Sequence, residues 1–169
     1  RQLSGLSGGT GMLSQPPAAS ADSSSFDPAA CARCHGGDGN GRGGAFPRLA
    51  GLSAAYIAQS LAAFRDGSRP SGFMQPVAAA LTDAEINQAA NYFSRQVPHP
   101  TTPAADIPAQ LLKDGQAVAT APTGPGTTPG CLGCHQRNIA NPAIPDLAGQ
   151  PAEYLETQLR LFHAGARGE

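Results

Sequence analysis

Tryptophan is absent from this 169-residue sequence, aromatic residues make up 5% of it, and lysine occurs once, as Lys113. A chain so poor in large rings has little of its own with which to fill a core. Charged residues are only 14% of the total and the formal net charge is −1. No basic stripe is therefore available to hold a nucleic acid. No apolar run approaches the roughly 20 residues that span a bilayer, which leaves membrane attachment to a partner or to segments outside this chain. Arg1 is not followed by a secretory leader, so the chain reads as a mature or trimmed product. Cysteine is scarce too: there are four, and all fall in two short motifs. None is left over for a separate disulfide or a catalytic thiol.

The motifs are Cys31-Ala32-Arg33-Cys34-His35 and Cys131-Leu132-Gly133-Cys134-His135. Cys-x-x-Cys-His is the attachment signature of c-type haem. Two cysteines three apart on a helical turn each form a thioether to one vinyl group of the same porphyrin. The histidine that follows is placed under the ring as proximal iron ligand. A zinc site built from both pairs would leave both histidines unexplained. A redox dithiol belongs beside a βαβ pattern, and the sequence has none. Cys31, Cys34, Cys131 and Cys134 are therefore read as thioether donors to two covalently bound haem c groups, with His35 and His135 on the two irons.

The doubling divides the chain into two modules, each short enough to need an apolar haem to complete its core. Residues 1–25, rich in Gly, Ser, Ala and Pro, read as a flexible linker or tail. Met12 lies there, too close to Cys31 to complete a preceding haem module. Residues 26–96 form the first module. Asp27 and Pro28 open a short helix that runs into the first motif. The Gly-rich stretch 36–41 ends it; without a preceding strand or a following Gly-Lys-Ser/Thr it is no phosphate loop. Proximal histidines usually donate their second ring N–H to a backbone carbonyl, and Pro47 is the candidate acceptor. Ser53 caps a helix carrying Tyr56, Ile57, Leu61 and Phe64 at helical spacing. Met74 follows in an irregular loop, where a thioether can approach the iron opposite His35, and is read as the distal ligand. Thr82 to Glu85 is a capping box that starts a helix with Ile86, Ala89, Ala90 and Phe93 on one face, expected to pack across the N-terminal helix.

Residues 97–108 read as a proline-stiffened linker in which His99 is solvated. The second module, 109–169, opens on a helical stretch around Leu111 to Gly115. Residues 144–149 then repeat 46–51, which makes Pro145 the matching carbonyl, and Tyr154 to Arg167 repeats Tyr56 to Arg69. No methionine follows in this second copy, nor does a closing helix, so the module is incomplete at its C-terminus and its distal ligand is not in the chain. His163 is read as a surface residue rather than a substitute ligand. Arg65, Arg69, Arg160 and Arg167 are candidates to neutralise haem propionates.

In order, the series Cys-x-x-Cys-His, Gly-Gly-Asp-Gly-Asn-Gly, Phe-Pro-Arg-Leu-Ala-Gly, Tyr-Ile-Ala-Gln-Ser-Leu, Phe-Arg-Asp-Gly-Ser-Arg, Met-Gln-Pro and Ala-Asn-Tyr-Phe resembles a class I cytochrome c. The duplication resembles the dihaem cytochrome c4 family. The resemblance implies an all-α fold of two tandem class I cytochrome c domains, each wrapped around a covalently bound haem with His and Met axial ligands. It implies a periplasmic location, soluble or on the periplasmic face of the inner membrane. It also implies an electron carrier, not an enzyme, working between redox partners such as a quinol-oxidising complex or dehydrogenase and a haem-copper oxidase or other reductase. A cytochrome subunit or domain of a larger dehydrogenase or oxidase complex is the alternative. A dihaem peroxidase is disfavoured, because the two motif contexts are nearly the same.

Overall fold

The computed structural model describes residues 26–100, 106–122, 129–136 and 140–167. The tail with Met12 and part of the linker lie outside them. Helices α1 (Pro28–His35), α2 (Ala54–Asp66), α3 (Met74–Ala79) and α4 (Asp83–Ser94) build the first half. Helices α5 (Ala109–Thr120), α6 (Cys131–Cys134) and α7 (Ala152–His163) build the second. Among the described residues there is no strand, only an isolated bridge between Arg42 and Phe46.

Local chemistry sets the helix ends. The Asp27 carboxylate accepts from the Ala29 N–H with Pro28 just inside α1, and the Ser53 hydroxyl accepts from the Tyr56 N–H at the start of α2. Thr82 and Glu85 exchange side-chain and backbone hydrogen bonds in a complete capping box. Each such cap satisfies N–H groups that the first helical turn leaves without partners.

The buried apolar core consists of Ala50, Leu52, Ile57, Leu61, Ala78, Ile86, Ala89, Ala90 and Phe93, all in the first half. Helix α4 packs chiefly on α2. It also meets the residues flanking α1, where Phe26 donates its N–H to Gln88 and stacks at a tilt on Tyr92, and the Tyr92 hydroxyl donates to the Gly37 carbonyl. The Gly-rich loop packs closely on α4 as well: a Cβ on Gly39, which has φ +73°, would come within 2.7 Å of the Phe93 ring. In the second half, α5 and α7 leave Leu111, Leu112, Val118, Leu159 and Phe162 exposed, with no described helix corresponding to α3 and α4 to cover them. No helix among the described residues is long and apolar enough to cross a membrane.

Candidate haem sites

In the first half Cys31, Cys34 and His35 follow one another along α1, and none of the four cysteines of the chain is in a disulfide. His35 is the last residue of α1 and is buried. Its Nδ1 lies 2.9 Å from the Pro47 carbonyl oxygen, and Phe46 stands edge-on to the ring. A carbonyl only accepts, so Nδ1 carries the proton and Nε2 keeps its lone pair. Burial holds the imidazole below its ordinary pKa, outweighing the Pro47 contact, which pulls it up. The result is a neutral imidazole with one nitrogen pinned and the other able to bind a metal. Gly41 makes the turn back to Pro47 possible: its φ is +87°, its N–H donates to the His35 carbonyl, and a Cβ there would lie 2.7 Å from the Phe46 oxygen.

Met74 is the first residue of α3, its N–H held by the Ser71 hydroxyl. Cys31 and Met74 both pack against the same core cluster. In the second half Cys131 and Cys134 lie on α6, and His135 follows as its C-cap. Its Nδ1 lies 3.0 Å from the Pro145 carbonyl oxygen. Both motifs thus end on a histidine with the same proline contact. Two cysteines per motif, none of them in a disulfide, and an imidazole with Nε2 available fit an attached haem, and the first half adds a thioether. The two cysteine pairs stay on separate helices, and among the described residues no three His, Cys, Asp or Glu side chains gather as a metal site.

The candidate propionate arginines separate into two groups. Arg65 pairs with Asp83, and Arg160 with Glu156, on the surface of their own halves. Arg69 is buried where the halves meet, reaching Tyr154, Gln158 and Ser60. Arg167, its counterpart in the repeat, hydrogen-bonds Gln158, and its charge pulls the pKa of Tyr56 down. Each guanidinium also lies over a phenylalanine at matching positions, Arg69 on Phe64 and Arg167 on Phe162. His163 is exposed at the end of α7. His99 is exposed too, yet not simply solvated: it lies 3.0 Å from Asp38 and its N–H donates to Asn40, which ties the linker to the Gly-rich loop.

Sequence reasoning missed the centre of this seam. Gln150 accepts from the Arg48 N–H and donates to the Arg48 carbonyl, and the Arg48 guanidinium bridges the carbonyls of Ala50 and Ala148. Ser53 also donates to the Pro142 carbonyl. Aligning the two copies offers one signal, since Arg48 and Asp146 occupy the same place with opposite charge.

Helices, loop and motif together define a class I c-type cytochrome. Comparison with known proteins supports this and narrows it. Residues 26–93 match a family model described as cytochrome c oxidase, cbb3-type, subunit III. The chain is 33% identical to cytochrome c4 of Pseudomonas aeruginosa, over 82% of its own length and 69% of that protein. It is 38% identical to a thiosulfate dehydrogenase electron acceptor of Stutzerimonas stutzeri, covering 82% of the chain but only 65% of the relative. Against the crystal structure of reduced cytochrome c4 from Pseudomonas stutzeri the TM-score is 0.73 at 31% identity, over 83% of this chain and 78% of that one. The chain belongs to the cytochrome c4 family, and its cofactor is covalently bound haem c.

Proposed function

We propose that the chain carries two haem c groups and that the protein containing it passes electrons between redox proteins in the periplasm. Cys31, Cys34, His35 and Met74 hold the first haem, in a domain spanning 26–96. Cys131, Cys134 and His135 hold the second, in a domain spanning 109–169, with residues 97–108 as linker. The observation that carries the reading is the repeated imidazole–proline contact, at 2.9 Å for His35 and 3.0 Å for His135. The same pin on both motif histidines is what equivalent iron sites require.

When bound, the haem supplies a reversible one-electron couple. The chain supplies the rest. His35 and Met74 would hold its iron between them and leave no open position for a substrate, and a thioether ligand would raise the potential. Pro47 and Pro145 hold the imidazoles in one tautomer through the redox change. The partner is a protein, and a dehydrogenase is favoured because one relative is named as the electron acceptor of thiosulfate dehydrogenase. A second reading, a cytochrome subunit of an oxidase complex, is favoured by the description of the family model over 26–93. A spectroscopic redox titration of the intact protein tests the function. Two low-spin centres at positive potentials are expected. A centre that turns high-spin and reacts with peroxide would replace the carrier by an enzyme.

A further inference from the structure

The loop that delivers Met74 has little packing of its own. After α2 it is fastened at Arg69, whose N–H donates to the Ala63 carbonyl at 2.9 Å and whose guanidinium is buried at the seam. Beyond Pro70 the support thins. A Cβ on Gly72 would meet nothing within 4 Å, and Phe73 is 80% exposed. Phe73 also stands where a cap of α3 belongs, yet its side chain makes no cap. A helix whose first N–H groups lack partners frays. Methionine does not compensate, because an unbranched side chain with several rotatable bonds takes its direction from the backbone beneath it.

Ser71 supplies what Phe73 cannot. Its hydroxyl accepts from the Met74 N–H at 3.1 Å, and its carbonyl accepts from the Gln75 N–H at 3.1 Å. Pro76 follows and has no N–H to satisfy. The Gln75 side chain closes the ring, its Oε1 accepting from the Ser71 N–H at 3.1 Å. One loop residue thus takes both N–H groups that open α3 and is itself held by the helix it starts. The amide of Gln75 also lies over the end of α2, where a Cβ on Gly67 would come 3.6 Å from Nε2. The Met74 side chain packs against the core cluster, so the box fixes its backbone and the core steadies its stem.

We propose that Ser71 and Gln75 are positioning residues for the first iron: they fix the opening turn of α3 and thereby keep the Met74 thioether in place against competing ligands. The inference rests on the reading above that Met74 is the distal ligand. A neutral thioether is exchanged for imidazole or cyanide when the backbone that carries it moves away, and the box resists that movement.

The test is a titration of the intact haem-loaded protein, in its ferric form, with imidazole. Loss of the thioether–iron charge-transfer band follows the displacement. Met74→Ala comes first and marks the part of the band that belongs to the first half. Ser71→Ala removes the hydroxyl and keeps both backbone groups. It is expected to let imidazole displace that thioether at about threefold to tenfold lower concentration, the net worth of one hydrogen bond. Gln75→Leu acts in the same direction, and it carries the test should Ser71→Ala fail to take up haem. Ser71→Thr, which restores a hydroxyl, returns the titration toward that of the unaltered protein. Thr82→Ala removes a cap of the same kind from α4 and controls for lost stability. Urea unfolding should show it weakened, with imidazole binding unchanged. The proposal is overturned if Ser71→Ala and Gln75→Leu leave imidazole binding unaltered, or if Thr82→Ala matches their effect. The two failures are separable. If Met74→Ala itself leaves the band and the titration unchanged, Met74 is no ligand and that reading falls together with this inference. If Met74→Ala opens the site and the Ser71 and Gln75 variants do not loosen it, the inference alone falls.

Discussion

Arg69 donates through Nη2 to the Tyr154 hydroxyl at 2.6 Å, joining one copy of the repeat to the tyrosine of the other. Arg167 answers from the second half, its charge pulling the pKa of the Tyr56 phenol down. Each half thus lends its arginine to the other's phenol. The phenols respond differently. Burial alone raises both, but at Tyr56 the charges of Arg69 and Arg167 outweigh it and hold the phenol below its ordinary range, whereas at Tyr154 burial wins.

Tyr154→Phe should weaken the seam. It removes a hydrogen bond to a charged, buried guanidinium, a loss of about 1.5–3 kcal/mol. The pH dependence has a definite sign. A phenol whose folded pKa is raised contributes stability below its unfolded value of about 10, and loses it as pH rises through the folded value. The deficit of the variant should therefore be full at neutral pH and shrink above about pH 10. Urea unfolding across that range measures it, and a deficit that grows with pH would contradict the assignment.

Gly41→Ala should damage the first haem site without touching a ligand. The residue holds φ +87°, and the added Cβ would meet the Phe46 carbonyl at 2.7 Å. The left-handed backbone alone costs about 1–2 kcal/mol for a residue with a side chain, before any clash. Since Pro47 follows Phe46, the contact to His35 should loosen with it. Thermal unfolding should show the lost stability, and the first haem's potential should move while the second holds.

Met74→Ala removes the thioether at the start of α3. The first site should lose its distal ligand, fall in potential and acquire affinity for cyanide or imidazole, followed as a spectral change on titration. A variant with unchanged spectrum and potential would remove Met74 from the ligand set.

The sequence displays short-range structure well, because its partners are neighbours. The Ser53 cap and the Thr82–Glu85 box each join residues three apart, and their signals survive in a single chain. The candidate haem residues are likewise written in contiguous motifs, so their chemistry can be read without coordinates. The seam cannot. Arg48 and Gln150 are 102 positions apart, Arg69 and Tyr154 are 85 apart, and nothing in local pattern says that two copies of a repeat will face each other. An arginine just beyond a helix looks solvated in sequence; Arg69 is 6% exposed because the second half covers it. His99 reads as free for the same reason, its partners Asp38 and Asn40 belonging to a distant loop.

The central claim is that each of the two motifs holds its own haem. Intact-mass measurement under denaturing conditions, where only covalent attachment survives, tests it most directly. The protein should carry the mass of two haems per chain, and of one after Cys131→Ala with Cys134→Ala. A single attached haem in the unaltered protein, with no change on removing Cys131 and Cys134, would contradict the account.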